Sequence, residues 1–154
     1  MLWQTRDYYG MSSTKWDNRF LDMAKLVATW SKDPSTNVGA VIVDNDNRVI
    51  SLGYNGFPKK ILDNGRLENR DQKYNIVVHA EANALLFANK SVSGCTLYTY
   101  PFQPCSRCAS LIIQSGIKRV VTIRNNDERW IENFKLAKAL LRESGIKLDQ
   151  YQNV

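Results

Sequence analysis

Residues 79–108 read HAEANALLFANKSVSGCTLYTYPFQPCSRC, a stretch that opens on His79-Ala80-Glu81 and closes on Pro104-Cys105-Ser106-Arg107-Cys108. Cys105 and Cys108 lie three apart, the spacing that sets two side chains on one face of an opening helix, so one ion can take both. His79 and Glu81 lie two apart, which on a helix body would turn them about 200° from each other. They can serve one site only at a helix end. Ala80, Ala82 and Ala84 ahead of Leu85-Leu86-Phe87 predict a helix that starts near His79, with both side chains in its first turn. One imidazole and two thiolates make three ligands, the number a catalytic zinc keeps when its fourth tetrahedral position stays open, whereas structural sites usually take four. Two helix N-termini then aim at the metal, and their positive dipole ends favour thiolate at both cysteines.

His-Ala-Glu with Pro-Cys-x-x-Cys downstream resembles the signature of the zinc-dependent cytidine and deoxycytidylate deaminases. A lone Cys-x-x-Cys also fits a redox pair or half of a zinc ribbon; the Glu two after the His and the Pro before the first Cys narrow the reading. Ser31-Lys32-Asp33-Pro34 leading into Val38-Gly39-Ala40, the loop Gly53-Tyr54-Asn55-Gly56-Phe57-Pro58, and Lys73-Tyr74 before His79 are similar to the dCMP deaminase branch. The resemblance implies one catalytic Zn2+ on His79, Cys105 and Cys108, with Glu81 as the proton shuttle for hydrolysis of dCMP to dUMP and ammonia. That dUMP would supply thymidylate synthesis. It also implies that the Ala80 N–H donates to the base carbonyl, that the carbonyl of Pro104 or a neighbour accepts from the amine, and that Asn55 holds a sugar hydroxyl. Apart from the resemblance, the aromatics Tyr100 and Phe102 offer a ring to stack on the base or, equally, to pack at the strand end. A regulatory triphosphate site is implied as well, activated by dCTP and inhibited by dTTP with Mg2+. Tyr54, Gly56 and Phe57 would line it, and Arg66, Arg70 and Lys90 would offer effector or phosphate contacts. Lys90, Arg107 and Arg124 are candidates for the substrate's 5′-phosphate. Relatives of this kind are commonly homohexamers. The chain departs from many of them by one added residue before Pro104-Cys105, and its only histidine is His79, so it lacks residues for a second, structural zinc.

The 154 residues, 44% hydrophobic and 23% charged, suit a single deaminase domain over 1–154 with a real core, its residues 1–13 reading as an N-terminal tail. No apolar run reaches the length of a membrane span, and no basic flank precedes an apolar leader, so the expected compartment is cytoplasmic. Two of the three cysteines are assigned to metal; Cys95 reads as a small buried hydrophobe. A net charge of +6 invites a nucleic-acid partner, yet the basic runs are only pairs such as Lys59-Lys60 and Lys118-Arg119. A field of that sign equally attracts a nucleotide phosphate, and no nucleic-acid or membrane partner is expected. Three rival readings stay open: a tRNA adenosine deaminase, a catalytically dead module of the same fold, and a purely structural zinc protein.

Thr14 with Asp17 marks a helix start, and Trp16, Phe20, Met23, Val27 and Trp30 recur at helical steps. Val38 to Val43, the turn Asp44-Asn45-Asp46-Asn47 and Val49 to Gly53 predict a hairpin. Residues 59–75 read as a polar loop. A helix over about 79–90, a strand from Cys95 to Tyr100, a helix over 105–115, a strand from Ile117 to Ile123, a helix over about 127–143 and a strand from Ile146 to Leu148 complete the chain. Right-handed crossovers make the last three strands parallel, and the hairpin extends them to a five-stranded mixed sheet covered by helices. The fold class is α/β, a three-layer α/β/α arrangement like that of the cytidine deaminases.

Overall fold

Thr14 begins the first helix as expected: its side-chain oxygen accepts the Asp17 N–H at 3.0 Å, satisfying one of the donors a helix start leaves open. The computed structural model describes residues 14–152, and the expected tail over residues 1–13 lies outside them. Helix α1 runs Lys15–Ala28 and buries Asp17, Phe20, Leu21, Ala24, Val27 and Ala28. Phe20 and Val27 of the stripe read in the sequence are buried and Met23 packs against the same core, but the two indoles of that stripe are not in it. Trp16 and Trp30 are 41% and 48% exposed, and Trp30 lies beyond the helix end. The reason is a close approach: a Cβ on Gly39 would sit 2.0 Å from the Ala24 carbonyl oxygen, so small residues rather than indoles must face the sheet.

Strands β1 (Gly39–Val43) and β2 (Val49–Tyr54) form the expected hairpin. β3 (Thr96–Tyr100), β4 (Arg119–Ile123) and β5 (Lys147–Tyr151) follow, giving the order β2-β1-β3-β4-β5. β1 is antiparallel to both its neighbours, while β3, β4 and β5 are parallel, which requires crossovers through helices. Those helices are α4 (Ser106–Ser115) and α5 (Ile131–Glu143); α2 (Arg70–Ile76) and α3 (Ala80–Phe87) come before β3. Alternation along the strands fills two cores. Val41, Tyr98 and Val121 meet α1 on one face, and Ala40, Ile42, Leu97 and Val120 meet α3, α4 and α5 on the other. Two crossovers on one face, progressing in one direction, are what right-handed connections produce. The three-layer mixed sheet is the one the sequence implied.

One element was not foreseen. The segment read as a polar loop over 59–75 holds all but the last residue of α2, capped by Asn69, whose side-chain oxygen accepts the Gln72 N–H at 3.1 Å. Seven residues carry too little periodicity to declare a helix; a buried tertiary bond from Lys73 helps hold it in place. Gly116 ends α4 in the left-handed region at φ 85°, and Cys95 is buried, both as read. Among the described residues no helix is long and apolar enough to cross a membrane.

Candidate active site

Register puts the site at one end of the sheet. Gly39 pairs with Tyr54 on one side and Tyr100 on the other, so the start of β1 and the ends of β2 and β3 lie together. α3 is laid directly on β2 there. A Cβ on Gly53 would meet the Ala80 carbonyl oxygen and the Ala84 nitrogen at 2.4 Å, a contact only glycine permits. His79 is the residue that caps α3 and Cys105 the one that caps α4, so both helix N-termini converge on this end, as the spacing implied.

The donor atoms of His79, Cys105 and Cys108 all lie within 4.8 Å of one another. His79 Nδ1 is 3.4 Å from Cys105 Sγ and 3.5 Å from Cys108 Sγ. A tetrahedral zinc with ordinary Zn–N and Zn–S bonds sets such atoms about 3.6 Å apart, so the trio fits the ion by distance as well as by donor type. Charge points the same way. Cys105 is held down to about 4 by a hydrogen bond from the Cys108 thiol and then by His79, whereas its hydrogen bond to Cys105 and its burial push Cys108 up. Two adjacent sulfurs thus share one negative charge, and a dication is what lets both ionise. The hydrogen bond to Cys105 raises the His79 pKa against the opposing effect of burial.

Glu81 stands outside this ligand set, 4% exposed, and makes no ion pair among the described residues. Burial pushes its carboxyl up to about 7; His79 pulls it down and Cys105 raises it further. A cation on the trio would oppose the burial effect. The carboxyl faces the same cavity as His79, Ala80 and Cys105, and the fully buried Ala80 sits at the first position of α3, where backbone N–H groups have no partner within the helix.

An aromatic wall closes the cavity. Trp130 stacks on Phe134 at 5.8 Å, and Phe102 packs on Phe134 at 5.4 Å. Phe102 therefore lies where the base reading needs a ring, but Tyr100 does not. It packs with the α1 core, with Lys25 Nζ 5.7 Å from its ring centroid, because Tyr98 and Tyr100 share one strand face. Asn55 lines the cavity with its amide already in use. Its Oδ1 accepts the Val38 N–H at 2.9 Å and its Nδ2 donates to the Thr36 carbonyl at 2.9 Å, so it secures the 33–38 loop. The buried Pro104 carbonyl accepts from Gln103 Nε2 at 3.3 Å.

Tyr54, Gly56 and Phe57 line a second cavity beside the first, with Asp33 and Asn55 forming the partition between them. The basic residues divide differently from the sequence reading. Arg66 is spent on the Leu62 and Asp63 carbonyls. Arg70 lines the first cavity rather than the second. Lys90 lies past the end of α3 and acts on Cys95, just before β3, at the opposite end of the sheet from both cavities. Arg107 lines the cleft that continues outward from the metal trio, and Arg124 follows β4 directly.

Several residues at the site were given no role there by the sequence, although Asp33 and Lys73-Tyr74 lie in motifs quoted above. Lys73 and Asp33, both buried, pair at 3.2 Å and anchor α2 to the loop before β1, at the cavity wall. Gln103, Arg129 and Tyr74 also line the cavity. Trp130 and Phe134 were read as helical core, which they are, but one edge of each faces the site.

Against known proteins, residues 14–124 match the family model for the cytidine and deoxycytidylate deaminase zinc-binding region. An uncharacterized deaminase from the luxG 3′ region of Aliivibrio fischeri is 41% identical over 138 residues, covering 88% of this chain and 92% of that one. The deoxycytidylate deaminase of Mus musculus is 45% identical over 114 residues, covering 70% of this chain and 64% of that one. The crystal structure of dCMP deaminase from the cyanophage S-TIM5 in complex with dCMP and dUMP superposes with a TM-score of 0.71 at 23% identity, over 91% of this chain and 99% of that one, which supports the shared fold. With the His79, Cys105 and Cys108 trio brought together inside the matched region and Glu81 beside it, the chain belongs to the cytidine and deoxycytidylate deaminase zinc-binding family.

Proposed function

We propose that this protein is a dCMP deaminase, converting dCMP to dUMP and ammonia. The observation that carries this reading is one cavity holding a convergent His79, Cys105 and Cys108 trio beside a buried, unligated Glu81. Relatives named deoxycytidylate deaminase support the choice of substrate.

Zinc held by the trio would supply Lewis acidity, lowering the cost of taking a proton from water at the attacking position. Glu81 takes that proton, passes it to N3 of the base, and moves a further one to the exocyclic amine so that ammonia leaves. Its buried carboxyl makes no ion pair among the described residues, so no fixed counter-charge holds it in one protonation state. The Ala80 N–H donates to the base carbonyl, and the ring lies against Phe102 and the Trp130–Phe134 pair. Arg70 gives the cavity a cation suited to a 5′-phosphate. The second cavity, with Tyr54, Gly56 and Phe57, suits a triphosphate effector, dCTP with Mg2+ as activator and dTTP as inhibitor. The proposal extends to a cytoplasmic homo-oligomer, a hexamer by resemblance, that supplies dUMP for thymidylate synthesis.

Ammonia release measured across dCMP, deoxycytidine and a tRNA stem-loop tests the assignment. Turnover of dCMP far above deoxycytidine supports it. Equal rates point to a nucleoside deaminase, inosine formation in the RNA points to the tRNA branch, and no turnover at all leaves a structural zinc protein or a binding module. A dCMP saturation curve that ignores both dCTP and dTTP rejects the regulatory part alone.

A further inference from the structure

We infer that Gln103 selects substrate over product, its side-chain oxygen accepting a hydrogen bond from the exocyclic amine of the base; the assignment rests on the dCMP reading above. Gln103 lies in the loop between β3 and α4, two residues before Cys105, where this chain carries its added residue. It is 2% exposed and lines the cavity that holds His79 and Glu81.

Its amide orientation is settled by its partners. Nε2 donates to the Phe134 carbonyl at 3.1 Å and to the Pro104 carbonyl at 3.3 Å. Both are acceptors without a proton, so the nitrogen must face them and the oxygen must face elsewhere. No described residue donates to that oxygen. A buried acceptor left without a donor costs about 1–3 kcal/mol, a cost that an occupant of the cavity can remove by supplying the proton. The carbonyl of Pro104 or a neighbour is the acceptor expected from the sequence; that of Pro104 already receives Nε2 on one of its two lone pairs, whereas the Gln103 oxygen receives no donor among the described residues.

Cytosine and uracil differ at the position this acceptor would read. Cytosine presents an amino donor at C4, and uracil-type bases present a carbonyl acceptor there. A fixed amide oxygen attracts the first and repels the second. The amide cannot turn to suit the product, because turning would set its oxygen against the Phe134 and Pro104 carbonyls. Gln103 is thus a specificity residue that favours dCMP on entry and weakens dUMP after the reaction.

The test is calorimetric titration of dCMP and dUMP into the zinc-loaded Glu81→Gln variant, alone and with Gln103→Leu or Gln103→Met added. Loss of one hydrogen bond should weaken dCMP about tenfold and leave dUMP unchanged or tighter, so that the preference falls about tenfold. Equal weakening of both nucleotides would overturn the assignment and leave Gln103 as a strut between α5 and the loop. A ligand-side comparison does not depend on how the Gln103 variants fold. Glu81→Gln alone should bind dCMP about tenfold tighter than dUMP, and equal binding overturns the assignment too. A wild type that turns over no dCMP removes the functional reading and this inference together, whereas dCMP turnover with an unchanged preference removes only the inference.

Discussion

Glu81 and its three neighbours carry the chemistry, and their separate roles can be pulled apart by single substitutions. Because the carboxyl is outside the donor trio, Glu81→Gln should keep stoichiometric zinc and its melting temperature while kcat for dCMP falls at least ~100-fold, the usual contribution of a positioned acid-base group. Metal analysis and steady-state rates on one preparation check this, and near-normal turnover would remove Glu81 from the shuttle. These four residues were legible in the sequence because their relations are local: three apart on a helix start, two apart at a helix end. Gln103 and Trp130 were not, since what makes them site residues is the packing of the β3–α4 loop and α5 around one cavity. Tyr100 and Lys90 show the converse. Each is near a motif in sequence, yet strand alternation turns Tyr100 to α1 and helix length carries Lys90 to the far end of the sheet.

Helix α3 is positioned by contact with a strand rather than by long side chains. Gly53 lets the Ala80 and Ala84 backbone approach β2, and a methyl group there meets backbone atoms at 2.4 Å that cannot swing aside. Gly53→Ala should therefore cost about 3 kcal/mol, at the upper end of overpacking, and lower the melting temperature by roughly 6–12 °C. It should also weaken zinc retention, because His79 and Glu81 ride on the displaced turn. Thermal denaturation and zinc content of the variant check both; an unchanged pair of values would mean that α3 is held by something else. Elements with eight or more residues or a β-branched run were readable from periodicity, and so was their order. The face that α1 buries was readable only in part: Phe20 and Val27 face the core as read, but the exclusion of Trp16 and Trp30 depends on how closely Gly39 lets α1 approach the sheet.

Across the whole molecule, Asp17 on α1 ties together three strands. It accepts from Tyr98 of β3 at 2.7 Å, from Arg119 of β4 at 2.9 and 2.7 Å, and from Tyr151 of β5 at 2.8 Å. Burial works to raise its pKa, but the hydrogen bonds from Arg119, Tyr98 and Tyr151 outweigh it and hold the carboxyl below the usual carboxylate range. A depressed folded value means that the stabilisation is fully present above the unfolded pKa of about 3.9 and is lost as pH falls through the folded one. Asp17→Asn should cost about 3 kcal/mol at neutral pH, the low end for a buried pair because Arg119 is partly exposed, and should flatten the acid limb of the stability curve. Urea titrations of both proteins between pH 7 and 2 check the slope, and parallel curves would contradict it. This network was invisible in the sequence, since its members lie up to 134 residues apart. The most direct test of the whole reading is zinc content and dCMP turnover measured on the same sample through chelation and reloading. One zinc per chain, activity lost with the metal and regained with zinc, is the expected result; a metal-free protein that still deaminates dCMP would contradict it.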